Sequence, residues 1–162
     1  MTAQITEVLL MDGEQLAMAF CPPLPMGHPR ILAADPRKNV TRGLERIVLS
    51  TACWRGHVGT WSIEGGRLYL VKLEGRHRLD GAEPLLADWF TGVLRVPRGE
   101  TLVSINMGFG SVHESELHIK VAAGMVVASR TVDNRGKAHD RHELALRSLP
   151  GSENRFPGDD DF

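Results

Sequence analysis

Cysteine is scarce in this chain: Cys21 and Cys53 are the only two in 162 residues, and neither belongs to a CxxC pair. That spacing excludes a structural zinc site built on cysteine and argues against a disulfide scaffold. Also missing is any apolar run near the roughly 20 residues that a membrane helix needs, so no membrane partner is expected. Met1 to Leu10 lacks the basic start and long apolar core of a signal peptide, which makes the cytoplasm the expected compartment. An excess of one charge is missing too. The net charge of -1 argues against a dedicated nucleic-acid binder. Asn106-Met107-Gly108-Phe109-Gly110-Ser111 is glycine-rich but has neither a GK[ST] ending nor the third glycine of a dinucleotide fingerprint. It reads as a strand end that bends sharply, with no cofactor implied.

What is present is ordinary for a soluble globular protein: 42% hydrophobic and 24% charged residues, in a length that suits one domain. The even charge balance hides a pattern. Residues 1–36 carry a net -3, residues 37–98 a net +5, and residues 99–162 a net -3. A basic middle between acidic flanks can present a positive surface, although charges that interleave on folding explain the same numbers.

Short apolar runs broken by glycine dominate the chain. Ile5–Met11 and Gln15–Phe20 flank Asp12-Gly13, a strong hairpin turn because both residues tolerate positive φ. Val58–Ile63 and Leu68–Leu73 flank Glu64-Gly65-Gly66-Arg67, and Glu116–Val121 and Met125–Val132 flank Ala122-Ala123-Gly124. Ile47–Cys53 reads as a strand buried on both faces. Pro97-Arg98-Gly99-Glu100 reads as a turn between Val93–Val96 and Leu102–Met107. Cys21–Pro29 must be extended and irregular, since proline fixes φ and removes donors. Ala82–Phe90 and Lys137–Leu149 are the two helix candidates. The expected fold is mainly β: a single antiparallel β-barrel or sandwich-like domain over residues 1–150, with one or two short helices. Trp61, Tyr69 and Ile47–Leu49 are expected in one core. Residues 151–162 form an irregular arm.

Ser50-Thr51-Ala52-Cys53-Trp54-Arg55-Gly56-His57 looks most like a site, because it carries a thiol, an indole, a guanidinium and an imidazole out of an apolar run. A Cys beside a His can become a thiolate nucleophile, so Cys53, His57 and also His77 are the catalytic candidates. The competing reading is a small apolar Cys filling the core. His139 and His142 stand at i, i+3 and could share a metal on a helix, with His113 or Glu114 as a third ligand. A solvated helix face explains them as well. Arg76-His77-Arg78 is the densest basic point; with Arg55, His57, Arg67 and Lys72 it could form a phosphate-binding surface, and Trp54, Trp61 and Tyr69 could stack on bases, although the aromatic residues suit a β core equally.

The tail pairs Phe156 with Asp159, Asp160 and Asp161 among Pro-Gly breaks that forbid regular structure. Aromatic anchors beside a charged tip suggest a docked arm or a recognition segment. Calcium at the three acids lacks the alternating loop ligands such a site uses.

Taken together, Cys53-Trp54-Arg55-Gly56, Gly59-Thr60-Trp61, Ala87-Asp88-Trp89-Phe90, Met107-Gly108-Phe109-Gly110-Ser111 and Asn154-Arg155-Phe156-Pro157-Gly158-Asp159-Asp160-Asp161 resemble a family of small uncharacterised bacterial proteins. The resemblance covers nearly the full length and implies a bacterial cytoplasmic origin. No established activity attaches to that family, so it implies no catalytic residue.

The reading that follows is a non-catalytic binding module, an inhibitor or antitoxin-like partner of another bacterial protein. Its contacts would be Trp54, Arg55, Arg76, Arg78 and the Phe156 tail, since Trp and Arg are enriched at interface hot spots. A small hydrolase or nuclease using Cys53, His57 or His77 is one alternative, and a nucleic-acid-binding β-barrel the other.

Overall fold

The computed structural model describes residues 4–41, 44–50, 52–53, 55–103 and 111–136. Residues 137–162 lie outside that range, and with them the Lys137–Leu149 helix candidate, His139, His142, Phe156 and Asp159–Asp161; so do Trp54 and residues 104–110.

The fold is mainly β. Strands β1 (Glu7–Met11) and β2 (Glu14–Met18) form the first hairpin, and β3 (Ile31–Ala33) follows the proline-rich connection. After a single helical turn, α1 (Glu45–Val48), come β4 (His57–Glu64), β5 (Arg67–Gly75), β6 (His77–Leu79) and β7 (Leu85–Leu86). The long strands β8 (Gly92–Val103), β9 (Val112–Ala122) and β10 (Met125–Asp133) complete the order. One eight-stranded sheet runs β2-β1-β4-β5-β10-β9-β8 with β7 on the side of β5, and β3 pairs with β6 separately.

All three glycine hairpins form where the sequence places them. Asp12 at φ 53 and Ala123 at φ 47 each precede a positive-φ glycine, as the turn requires. The all-antiparallel expectation needs correction. β1 and β4 pair in parallel, Val8 opposite Thr60 and Leu9 opposite Trp61. The connection from β2 to β4 is long enough to carry the chain back over the sheet, and only such a crossover can seat two strands side by side in parallel.

Three local expectations also fail. Ala82–Phe90 is not a helix: Leu85 and Leu86 pair with Leu70 and Tyr69 of β5, and the Ala87 N–H donates to the Leu68 carbonyl. A nine-residue segment is too short to hold a helix by propensity alone, so pairing with an open strand edge wins. Ile47–Cys53 is not a strand. The Val48 N–H bonds the Leu44 carbonyl, and the Ser50 hydroxyl donates to Ile47 O at 2.8 Å while accepting from the Ala52 N–H. That hydroxyl closes a turn no ladder could match. Pro97–Glu100 is no turn either. β8 runs through it, and Gly99 at φ 81 sits where the β8–β9 register shifts. The proline and glycine are absorbed as a bulge.

The core is one cluster containing Leu9, Met18, Phe20, Trp61, Leu68, Leu70, Phe90, Leu94 and Val96. Trp61 is wholly buried at its centre, and each large side chain placed so contributes roughly 1.5–3 kcal/mol. Tyr69 is only half-buried, because its neighbours Leu68 and Leu70 take the inward face of β5. Val48 joins a separate small cluster with Cys53 and Val58, while Leu49 is exposed. No helix among the described residues is long and apolar enough to cross a membrane.

Candidate functional site

At the start of β4 the chain gathers its most chemically loaded side chains. The keystone is Glu7, which the sequence reading passed over inside an apolar run. Its carboxylate has no exposure to solvent. It accepts from Arg55 Nη2 at 2.8 Å, from the Gly59 N–H at 2.6 Å and from Trp61 Nε1 at 3.4 Å. Gly59 makes the space: a Cβ there would stand 2.7 Å from Trp61 Nε1 and 2.8 Å from Glu7 Oε1. The signal that could have found Glu7 is its phase. It alternates with Leu9 on the inward face of β1, where a charge must have a partner.

Burial pushes the Glu7 carboxyl up, against the Arg55 charge and the three donors that act to lower it. For Arg55, burial acts to lower the guanidinium, but the Glu7 charge outweighs it and the group is held above its ordinary range. Arg55, expected as a surface contact, is therefore committed to the interior, its side chain 9% exposed.

The loop beyond Arg55 is stitched to the end of β5. The Arg76 N–H donates to the Gly56 carbonyl at 2.9 Å, and Gly75 leaves room for that oxygen, which a Cβ would approach to 2.4 Å. This brings His57 and His77 together with ring centroids 5.8 Å apart and planes at 89°. His57 Nδ1 lies 3.2 Å from the Arg55 carbonyl. A carbonyl only accepts, so Nδ1 carries the hydrogen and Nε2 keeps its lone pair. His57 Nε2 and His77 Nδ1 are both buried without a hydrogen-bond partner. Burial, and then the positive charges of Arg55 and His77, lower the His57 imidazolium to about 4.

Cys53 is buried beside this pair, but its Sγ donates to the His57 backbone carbonyl at 3.3 Å. Burial pushes its thiol up despite the nearby Arg55 charge. A neutral thiol spent on a carbonyl is a poor nucleophile. Arg76 is exposed with its stem over Gly56, while Arg78 forms an exposed ion pair with Asp80 at 3.1 Å.

A second buried polar cluster lies between β8 and β9. One Glu116 oxygen takes Arg95 Nη2, the other faces His118 Nε2 at 3.1 Å, and all three side chains are 3–4% exposed. His118 and its neighbour Ile119 are both buried, so both faces of β9 are covered at that point.

Compared with protein-family models, curated proteins and solved structures, the chain matches none.

Proposed function

We propose that the chain is a non-catalytic binding module that takes an extended segment of another protein alongside β10, as an inhibitor or antitoxin-like partner would. The observation that carries this reading is the exposure of β10. Seven of its nine residues are exposed, Val127 at 56% and Met125 at 40%, and its ladder with β5 is limited to Met125 opposite Arg67. A strand in that position is a template for strand addition, with the backbone giving affinity and alternate side chains giving selectivity. The buried groups support the same reading: Glu7, Arg55 and Cys53 are engaged with one another or with backbone, and none is presented to a substrate.

The hydrolase or nuclease alternative, where it uses Cys53, would need a lowered thiol, and burial acts the other way. The nucleic-acid alternative retains Arg76 as an exposed cation near Gly56, with Arg78 paired to Asp80. We further read the architecture as sandwich-like. The Ala19 N–H donates to the Arg95 carbonyl at 2.9 Å, folding β2 toward β8 over one core, but no strand ladder joins the two. The cytoplasmic placement is supported by two buried cysteines that are not joined in a disulfide.

The test is capture from native-host extract with the full chain and with a V127K/T131K variant, whose added charges repel an incoming strand. A protein recovered by the first and lost by the second, with slowed amide exchange along β10 in the complex, supports the proposal. Equal capture by both, protection elsewhere, or self-association of the chain through β10 overturns it.

A further inference from the structure

The geometry points to a transition-metal site at His57 and His77, taking a borderline divalent ion such as zinc. It is independent of the β10 surface. Three observations converge. First, the two rings sit at a centroid separation of 5.8 Å. Two imidazoles sharing one zinc ion, each at about 2.0–2.1 Å, hold their centroids on the order of 5–6.5 Å apart. The ring separation falls within that range. Second, each ring has a buried nitrogen with no hydrogen-bond partner, His57 Nε2 and His77 Nδ1. Two buried unsatisfied nitrogens on touching rings require an explanation, and a bound ion satisfies both at once. Third, the outer partner of a metal-binding histidine is already in place. The Arg55 carbonyl takes the His57 Nδ1 hydrogen, which fixes the tautomer that leaves Nε2 as a ligand.

The surroundings hold both rings from outside. Asn39 Nδ2 donates to the His77 carbonyl at 2.6 Å, His77 stands opposite Ala33 in the β3–β6 pair, and Gly56–Arg76 backbone bonding fixes the His57 approach. The Arg55 charge acts against a cation, and the Glu7 carboxylate at 2.8 Å partly offsets it. Among the described residues no group of three His, Cys, Asp or Glu assembles; these residues supply two nitrogens, and water can complete the coordination. An exchangeable ion with open positions is the expected state, unlike a closed structural centre.

The experiment is titration of the full chain with zinc chloride, followed by calorimetry and by nitrogen-15 spectra of the histidine side chains. One zinc per chain is expected, with His57 Nε2 and His77 Nδ1 both shifting. H77Q is expected to weaken binding at least tenfold. Because H57Q can perturb the fold, the wild-type nitrogen spectra stand on their own. Shifts confined to other histidines, an unchanged affinity in a folded H77Q chain, or no binding at millimolar zinc overturns the assignment.

Discussion

Replacing Arg55 by Met removes the guanidinium and leaves the Glu7 carboxylate with only the Gly59 and Trp61 N–H donors. Breaking a buried ion pair from one side costs about 3–5 kcal/mol. The stranded carboxyl can take up a proton instead: burial raises it, and without the Arg55 charge only the two N–H donors act to lower it. That sets a sign. In the variant the folded carboxyl holds its proton more tightly than the unfolded one, so the Glu7 contribution is fully present below 4.5 and is lost as pH rises. Between pH 6.5 and pH 8, above the window in which His57 titrates, the variant should lose more stability than wild type, in which the Arg55 charge acts to lower the carboxyl. Urea denaturation at both pH values measures this. A loss under 1 kcal/mol at pH 7, or one that does not change between pH 6.5 and pH 8, would refute the argument that Glu7 is a charge held by Arg55.

Two further outcomes follow from the same loop. His57 is lowered from 6.5 to about 4 on folding, so the unfolded chain takes up the proton first. The His57 contribution is negligible well above pH 6.5 and costs stability as pH falls, by about 3 kcal/mol at pH 4; H57Q should flatten that limb of a pH–stability curve, and a limb left intact would exclude His57 as its source. Gly59→Ala places a Cβ 2.7 Å from Trp61 Nε1, an overpacking that should cost about 1–3 kcal/mol in the denaturation midpoint; a neutral substitution would mean that the carboxylate cradle is slack.

Much of the sheet was legible because its turns carry their own chemistry. Asp12-Gly13, Gly65-Gly66 and Ala123-Gly124 all adopt positive φ, and little besides glycine and small polar residues reaches that region cheaply. The failures share a cause. Leu85-Leu86 became a strand because β5 had an edge to offer, and Pro97–Glu100 stayed within β8 because β9 held it in register. Neither neighbour is adjacent in sequence, so no local pattern could announce them. The site was half visible for the same reason. Cys53, Arg55 and His57 stand together in one stretch, but Glu7 reaches them through the parallel β1–β4 pairing, and His77 through the end of the β4–β5 ladder and the Gly56–Arg76 backbone bond.

That pairing also explains why a charge is kept where a leucine would suffice for burial. A one-residue slip of β1 against β4 turns every side chain to the opposite face. An apolar β1 would tolerate a two-residue slip, which keeps the same face inward. Glu7 does not, because its oxygens are satisfied only beside Gly59, where the Cβ is missing, the N–H points inward and the Trp61 indole nitrogen stands within reach. Any other register strands both the carboxylate and Arg55 in the interior at a cost of several kcal/mol. The buried pair therefore acts less as a source of stability than as a lock on register. The same lock holds the Arg55–His57 loop against the end of β5, and so keeps the two imidazoles face to edge.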